Sequence, residues 1–491
     1  MEHRLDSTVA EEFIAREGSA SELLRKSLEF APWTLVSVAL HVLLFCTLAL
    51  IALGGPPPSV DTLITMEPDQ SPTPVATVED TLMPSSEPLP TDDPVYTPAD
   101  PIDPDVEPDN FPDDPTTAEP APPNEPGAIG PGAGHPEGRY GPRSHPGGGK
   151  GNNGKPIPPV VFPPVDSGLK WLADHQEADG HWDTKRWGGN GDYDPGICGL
   201  ALLAFAGCGH TERSGKYTRV VRKAIDWLAS QQDTKGNFAP HTTMYSHAIP
   251  TLALLEEAAM APVPRTMAIA KKGLDYMISV QNDYKAWRYW PKDNDNDMSV
   301  TAWCVMALKA AKVAGLDVSA GSWAGVKNFL DEVTEPNYGE VGYASRPVRG
   351  ATEQPYQRYS MTACGMLCRL YMGVSREDRL IKNGTIILLE NLPEWNQPGI
   401  GAQFYYYWYY GALVAFQVEG ELWKRWEDKM LKVIVPHQRM EEGDLKGSWD
   451  PAPSTHFSQM GGRVYSTAMA VLTLSVYWRY EIIAKAAGKK K

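Results

Sequence analysis

Two kinds of hydrophobic segment alternate in the chain from about residue 160 to residue 486. The first kind is mostly apolar, is rich in small residues and recurs about every 50 residues. Six such segments occupy residues 198–207, 247–260, 300–315, 361–373, 406–416 and 465–477. The second kind is amphipathic. Because a helix that is apolar on nearly all faces lies inside a large fold, the pattern predicts six inner helices surrounded by six outer ones. Residues 160–486 should therefore form an all-α (α/α)6 toroid of six helix pairs.

The amphipathic segments end in a repeated motif of an aromatic residue, a Gln, a Gly and a second aromatic residue. It begins with Trp171, Gln176, Gly180 and Trp182. Its repeats are Trp227, Gln232, Gly236 and Phe238, then Tyr276, Gln281, Lys285 in place of the Gly, and Trp287. Weaker echoes occur at Phe329 with Gly342 and Tyr343, and at Gln438 with Gly447 and Trp449. A Gln amide can bind backbone groups at a helix end while the ring packs on it, so we expect a structural role for the motif.

The motif Trp-Leu-x-x-x-Gln-x-x-x-Gly-x-Trp resembles the repeat of squalene cyclases and protein prenyltransferase β subunits, over roughly residues 160 to 485. The later segments YYWYYG, GSWDP and GGRVYSTA also look like those of membrane-anchored planctomycete envelope proteins that carry this domain. A shared fold does not imply a shared reaction. The resemblance implies a central cavity lined by inner-helix ends and loops, which would draw on Trp290, Asp295, Asp297, Trp303, Tyr359, Tyr406, Tyr409, Arg463 and Tyr465. Such aromatic faces suit an isoprenoid and would stabilise a carbocation, although the same residues also suit plain core packing.

The acid that a cyclase needs is displaced in this sequence. Hopene-type squalene cyclases protonate an alkene with the middle Asp of an Asp-x-Asp-Asp-Thr-Ala motif. Thr301 and Ala302 match its end, but Ser299 stands at the central acid and Asp297 at the first Asp. A relocated acid, Asp295 or Asp297, would have to be held neutral by its surroundings. The alternative is that Asp297 caps the helix that begins at Met298 and that Asp295 is a solvated loop residue.

A prenyltransferase would need a zinc site of Asp, Cys and His. Asp194, Cys198 and His247 offer these residue types near inner-helix starts, but the tight Asp-x-Cys spacing of that family is absent. We therefore predict no cofactor and regard the three as weak metal candidates. The chain has 6 cysteines and no Cys-x-x-Cys. We expect buried free thiols, with a disulfide as the alternative for an extracytoplasmic domain.

The N-terminal third of the chain predicts an anchor and a tether. Residues 1–31 are polar and helix-prone, whereas residues 32–54 contain no acidic or basic side chain except His41 and are long enough to cross a bilayer. A cleaved signal peptide is the alternative. Basic residues precede the span, which predicts a cytoplasmic N-terminus and a toroid on the periplasmic side of the inner membrane. Residues 55–159 are first acidic and Pro-rich and then Gly-rich, so we expect a disordered linker.

Charge is distributed unevenly along the 491 residues, whose net charge is -16. Residues 55–138 hold 18 acidic and no basic side chains, while residues 139–491 hold 36 acidic and 41 basic ones. The folded part is therefore close to neutral. It has no concentrated basic stripe interleaved with aromatic residues, so we predict no nucleic-acid partner.

Within the predicted span, Ser37 and His41 lie on one helix face, and an ionisable group in a membrane is a functional hypothesis. The spacing, followed by an acidic Pro-rich stretch, resembles the anchor of TonB-type transducers, which couple to a proton-driven motor. A tolerated His in a plain anchor is the alternative. Coupling predicts that His41→Ala impairs the coupled process while membrane insertion is kept.

Three functions follow from these observations. The first is a membrane-anchored envelope protein whose toroid binds an isoprenoid, another lipid or an extended ligand without standard cyclase chemistry. The second is a terpenoid cyclase or prenyltransferase-type enzyme with a relocated acid. The third is a toroid that binds an envelope protein as the head of a TonB-like coupling system.

Overall fold

The computed structural model describes residues 152, 154–348, 355–397, 401–402, 405–451, 456–480 and 482. Their helices are α1 (Phe162–Asp174), α2 (Asp194–Gly207), α3 (Thr218–Gln231), α4 (Tyr245–Met260), α5 (Pro264–Ser279), α6 (Met298–Val313), α7 (Ala320–Val333), α8 (Pro355–Tyr371), α9 (Arg379–Glu390), α10 (Tyr405–Val418), α11 (Gly420–Ile434), α12 (His456–Leu474) and α13 (Val476–Arg479). Single 3₁₀ turns occupy Pro159–Val161, Lys185–Trp187 and Val435–His437. Two short strands, β1 (Asn396–Gln397) and β2 (Gly401–Ala402), pair in antiparallel orientation.

Six helices form a closed inner ring. Helices α2, α4, α6, α8, α10 and α12 each pack against the next, and α12 packs back against α2. The outer helices α3, α5, α7, α9 and α11 each pack against the inner helix before them, and α1 packs against α12. The predicted all-α toroid of six helix pairs is therefore confirmed. Small residues let the inner helices approach closely, since a Cβ added at Gly199 would lie 2.6 Å from the backbone nitrogen of Pro250.

The inner helices begin earlier than the apolar pattern predicted, because their first turns carry polar or aromatic residues. Helix α2 begins at Asp194, and α12 begins at His456 and is kinked at Gly462. Gly462 has a φ of 58°, and a Cβ there would lie 2.3 Å from the carbonyl oxygen of Trp187. Only glycine tolerates both that dihedral and that approach.

The predicted anchor, residues 32–54, and the segments 1–31 and 55–151 lie outside the described residues. Among the residues that the structure does describe, none of the helices combines the length and the apolar character needed to cross a membrane.

The repeated Gln joins successive outer helices. In each case its Nε2 donates to a carbonyl of its own loop, at Gly180, Gly236, Lys285 or Gly447, over 2.8–3.2 Å. The same nitrogen donates to a carbonyl near the start of the neighbouring outer helix, which pairs Gln176 with Val220, Gln232 with Ile269, Gln281 with Ser322 and Gln438 with Pro164. Three of the motif Trp rings also donate to the preceding outer helix, namely Trp182 to Leu172, Trp287 to Met277 and Trp449 to Ile434. The expected structural role is confirmed.

Replacing Gln438 should weaken the closure of the ring. Gln438→Ala removes the two hydrogen bonds that the buried Gln438 amide donates to the carbonyls of Pro164 and Gly447, which should cost about 1–3 kcal/mol of unfolding free energy. Chemical denaturation of the full chain would measure it. Gln231→Ala makes the same change on an exposed side chain and should stay within about 0.5 kcal/mol of the wild type. Equal losses in the two variants would contradict the role of the motif.

The end of the inner ring where its helices terminate contacts the last residues of the linker. Asn152 donates from its backbone N–H to the carbonyl of Tyr477 at 2.7 Å and from its side chain to that of Trp478 at 3.0 Å. Arg479 is fully buried there and donates to Tyr409 at 2.8 Å and to Glu256, also fully buried, at 3.2 Å. A buried ion pair therefore joins α13, α10 and α4 at this end.

Candidate functional site

A cavity of about 270 Å³ lies at the opposite end of the ring, among the first turns of the inner helices. Its lining is apolar and aromatic and consists of Tyr193, Gly196, Ile197, Leu200, Thr243, Tyr245, Ser246, Ile249, Tyr289, Trp303, Tyr406, Met460, Gly461 and Tyr465. None of these described lining residues carries a charged side chain. The arrangement suits the apolar part of a small ligand.

Three of the predicted lining residues, Trp303, Tyr406 and Tyr465, do line this cavity. The other four aromatic or basic candidates lie elsewhere. Trp290 is half exposed, and the ring of Tyr359 lies 6.3 Å from that of Tyr407. Tyr409 supports the cavity from behind, because its ring stacks on Trp303 at 5.6 Å.

The remaining predicted residue, Arg463, is held in an ion pair. It donates to Asp450 at 2.6 Å and to Ser448 at 2.9 Å, and Arg439 lies 2.6 Å from the same carboxylate. The Arg463 guanidinium is thereby committed to the loop before α12 and is absent from the lining of the cavity.

Several lining residues were missed from the sequence. Tyr193 directly precedes α2, Tyr245 begins α4, and Tyr289 lies in the loop before α6. Tyr193 and Tyr245 lie at the start of an inner helix, so an aromatic residue at that place is the signal that would have found them. Tyr289 lies nine residues before Met298, and this signal would have missed it.

Asp297 lies behind the aromatic wall and is fully buried. As the N-cap of α6, its Oδ1 accepts from the backbone N–H of Val300 at 2.8 Å and from Ser299 Oγ at 2.6 Å. Its Oδ2 is buried without a hydrogen bond from any described residue and lies 3.9 Å from Arg288 Nε. Burial raises the pKa of Asp297 to about 6, although the bonds from Ser299 and Val300 and the charge of Arg288 oppose the shift. The predicted cap is confirmed, and the same residue is also a buried acid.

A chain of hydroxyl groups connects this acid to the cavity wall. Tyr245 donates to Ser299 Oγ at 2.5 Å, and Ser299 in turn donates to Asp297. Tyr406 donates to the Ser299 carbonyl at 3.1 Å, so two lining tyrosines bond to one residue. Burial raises the pKa of Tyr245, and the nearby Asp297 adds to the shift. The carboxyl group is therefore two hydrogen bonds away from a side chain that lines the cavity.

Asp295, the other candidate acid, is exposed and forms an ion pair with Arg288. It also accepts from the backbone N–H of Asn296 at 2.9 Å. Asp295 belongs to the surface of the loop before α6, as the solvated alternative predicted.

The three weak metal candidates do not converge. Asp194 accepts from the backbone N–H and hydroxyl of Thr184 at 3.2 and 2.6 Å. Both ring nitrogens of His247 are engaged, Nδ1 by the N–H of Phe238 at 3.3 Å and Nε2 by the carbonyl of Gly273 at 3.0 Å. Burial lowers the pKa of His247 to about 4 and raises that of the Cys198 thiol. In the described part of the chain, no group of three His, Cys, Asp or Glu residues is placed to hold a metal ion.

The five cysteines of the described residues, Cys198, Cys208, Cys304, Cys364 and Cys368, are free and buried. Burial is the main cause that raises the thiol pKa of four of them, Cys198, Cys304, Cys364 and Cys368. These thiols therefore behave as small core residues, as expected.

No protein-family model and no curated protein matches the chain. Similar solved structures include the GH76A α-1,6-mannanase from Salegentibacter sp. HEL1_6, with 9% identity, coverage of 64% of this chain and 98% of that one, and a TM-score of 0.48. They also include the type II terpene cyclase MstE from Scytonema (12% identity, 64% and 97% coverage, TM-score 0.43) and an α-amylase from Clostridium perfringens (14%, 63% and 97%, TM-score 0.42). Likeness at this level carries no argument about activity. The toroid rests on the ring of packed helices described above.

Proposed function

We propose that the chain is a membrane-anchored envelope protein whose toroid binds an apolar ligand, an isoprenoid or another lipid chain, in its central cavity. The observation that carries this proposal is the cavity, in which aromatic and aliphatic side chains from five inner helices meet around about 270 Å³. Burial of an apolar chain there would be driven by the hydrophobic effect at roughly 25 cal/mol per Å².

The residues at the family's acid position argue for binding without standard cyclase chemistry. Ser299 stands where the resemblance places the protonating Asp, and its hydroxyl already donates to Asp297. A serine hydroxyl is far too weak an acid to protonate an alkene.

The placement of the linker agrees with a ligand-binding head on a tether. Asn152 joins the domain at the C-terminal end of the inner helices, whereas the cavity lies at their N-terminal end. The contacts of Asn152 therefore lie at the other end of the inner helices from the lining of the cavity.

Narrowing the cavity should weaken binding. Ile249 lines it, and Ile249→Trp would place an indole ring among the lining residues at a folding cost of about 1–3 kcal/mol. Native mass spectrometry of the full chain, purified from membranes without added ligand, should find a lipid adduct on the wild type. We expect its occupancy to fall at least about tenfold in the variant.

The matched control is Ile386→Trp, which makes the same change at an exposed position outside the cavity. It should keep the adduct. A wild-type chain without adduct, or an adduct that survives in the Ile249 variant, would contradict the proposal.

A second candidate function is a terpenoid cyclase-type enzyme that uses Asp297. The observation in its favour is a buried carboxyl group with a pKa near 6 behind a wall of aromatic rings. Against it, Asp297 is fully buried and does not line the cavity. Because Asp297 must be protonated to act as the acid, turnover should fall as the pH rises through 6. The test of this candidate is the Asp297→Asn variant, which should lose turnover.

The third candidate, coupling through Ser37 and His41, concerns residues outside the described part of the chain. It remains a prediction, for which His41→Ala with intact membrane insertion is the test.

A further inference from the structure

Two hydroxyl groups in the apolar cavity are left without partners. Ser246 is 1% exposed, and its Oγ accepts and donates no hydrogen bond to any described residue. The Oγ1 of Thr243, three residues earlier, is likewise buried and unpartnered within the described ranges. Both residues line the cavity.

An unpaired buried hydroxyl is costly, and native structures contain few of them. Gly196 packs directly against this residue, because a Cβ at that position would lie 2.9 Å from Ser246 Cα and 3.0 Å from Ser246 Oγ. A ligand oxygen within hydrogen-bond distance of either hydroxyl would give that hydroxyl a partner.

The charge of the surroundings selects against an ionised ligand. The lining named above contains no Lys, Arg or His, so a phosphate or carboxylate would be desolvated without a counter-charge. Asp297, behind Tyr245, adds negative potential whenever it is ionised. An uncharged oxygen avoids both costs.

We propose that Thr243 and Ser246 form a polar subsite for the hydroxyl group of an uncharged long-chain or isoprenoid alcohol, whose apolar chain occupies the aromatic cavity. This inference rests on the proposed function, since it assigns the class of ligand to the same cavity. It distinguishes an alcohol from a hydrocarbon and from a phosphate ester of the same chain.

The test compares three probes of equal chain length, namely decane, decanol and decyl phosphate. Equilibrium dialysis against the full chain in nanodiscs, with empty nanodiscs as the reference, measures each dissociation constant. For the wild type we expect decanol to bind about tenfold more tightly than decane, as one to two new hydrogen bonds would give. Decyl phosphate should bind more weakly than decanol.

Two variants that each remove one hydroxyl then locate the subsite. Ser246→Ala and Thr243→Val should each reduce the affinity for decanol by a larger factor than the affinity for decane. Thr242→Val is the control, because the Thr242 hydroxyl, which has no partner among the described residues, lines a neighbouring cavity of about 660 Å³ and not this one. Ser246→Ala should not lower the melting temperature, since the hydroxyl that it removes is unpaired.

The outcomes separate this inference from the proposed function. Equal wild-type affinity for decane and decanol, tightest binding of decyl phosphate, or a preference for decanol that persists in both variants would each overturn the subsite while the apolar cavity stands. Failure of all three probes to bind the wild type would overturn the proposed function as well. The wild-type comparison requires no variant to fold.

Discussion

Arg479→Met should lower the free energy of unfolding by about 3–5 kcal/mol, the cost of leaving the charge of a buried partner uncompensated. Arg479 and Glu256 are both fully buried and lie 3.2 Å apart, and Tyr480 donates to the same Glu256 oxygen at 2.5 Å. Burial disfavours both charges, while Glu256 and Tyr409 hold the pKa of Arg479 well above its usual value. Removal of the guanidinium leaves a carboxylate in a site that water does not reach.

Arg479→Met should also weaken ligand binding in the cavity. Tyr409 accepts from Arg479, and its ring stacks on Trp303, which lines the cavity. Without Arg479, the Tyr409 hydroxyl loses its charged donor. The Tyr409 ring, which stacks on Trp303, is then less firmly held. We therefore expect weaker ligand retention in this variant even at temperatures where it stays folded.

Chemical denaturation of the full chain measures the loss of stability. Arg265→Met is the matched control, because Arg265 pairs with Asp226 on the surface, where removal of one partner typically costs less than about 1 kcal/mol. Arg479→Met combined with Glu256→Leu should recover much of the loss, since apolar residues often replace a buried ion pair at little cost. A single variant as stable as the wild type would refute the role of the pair.

The fold was predictable because the sequence features that specify it are local and recur along the chain. Each inner helix is apolar all round, and each Gln motif ends an outer helix, so the period alone gave the number and order of the pairs. The sequence indicated that the ring closes, but it did not show which residues close it. The structure shows that α12 packs on α2 and that Gln438 donates to the Pro164 carbonyl.

The site was only partly predictable, because its residues come from loops far apart in sequence. Position relative to the inner-helix starts identified Trp303, Tyr406 and Tyr465. The environment of Asp297 depends on Arg288 and on Tyr343, whose carbonyl accepts from the N–H of Met298. A cap residue and a buried acid have the same local sequence, so only the tertiary structure shows that Asp297 is both.

Replacement of Asp297 should remove a step in the pH dependence of the free energy of unfolding. Its folded-state pKa of about 6 lies above the ordinary value of 3.8, so the folded state favours the protonated acid. The resulting stabilisation is fully present below pH 4 and is lost as the pH rises through 6, about 3 kcal/mol over the whole range. In Asp297→Asn this step should vanish, while the amide oxygen still caps α6. The free energy of unfolding of variant and wild type, measured from pH 4 to 7.5, gives the difference directly.

A second substitution tests the cause of the step. Ser299 donates to the Asp297 carboxylate and thereby holds its pKa down. Ser299→Ala should raise the pKa of Asp297 further, so the loss of stability should extend to a higher pH and be larger in total than in the wild type. Asp297→Ser keeps a capping oxygen without a titrating group and should lack the step, as Asp297→Asn does. If the difference between wild type and Asp297→Asn is flat across this range, the buried carboxyl is not protonated near pH 6 and cannot serve as an acid in the cavity.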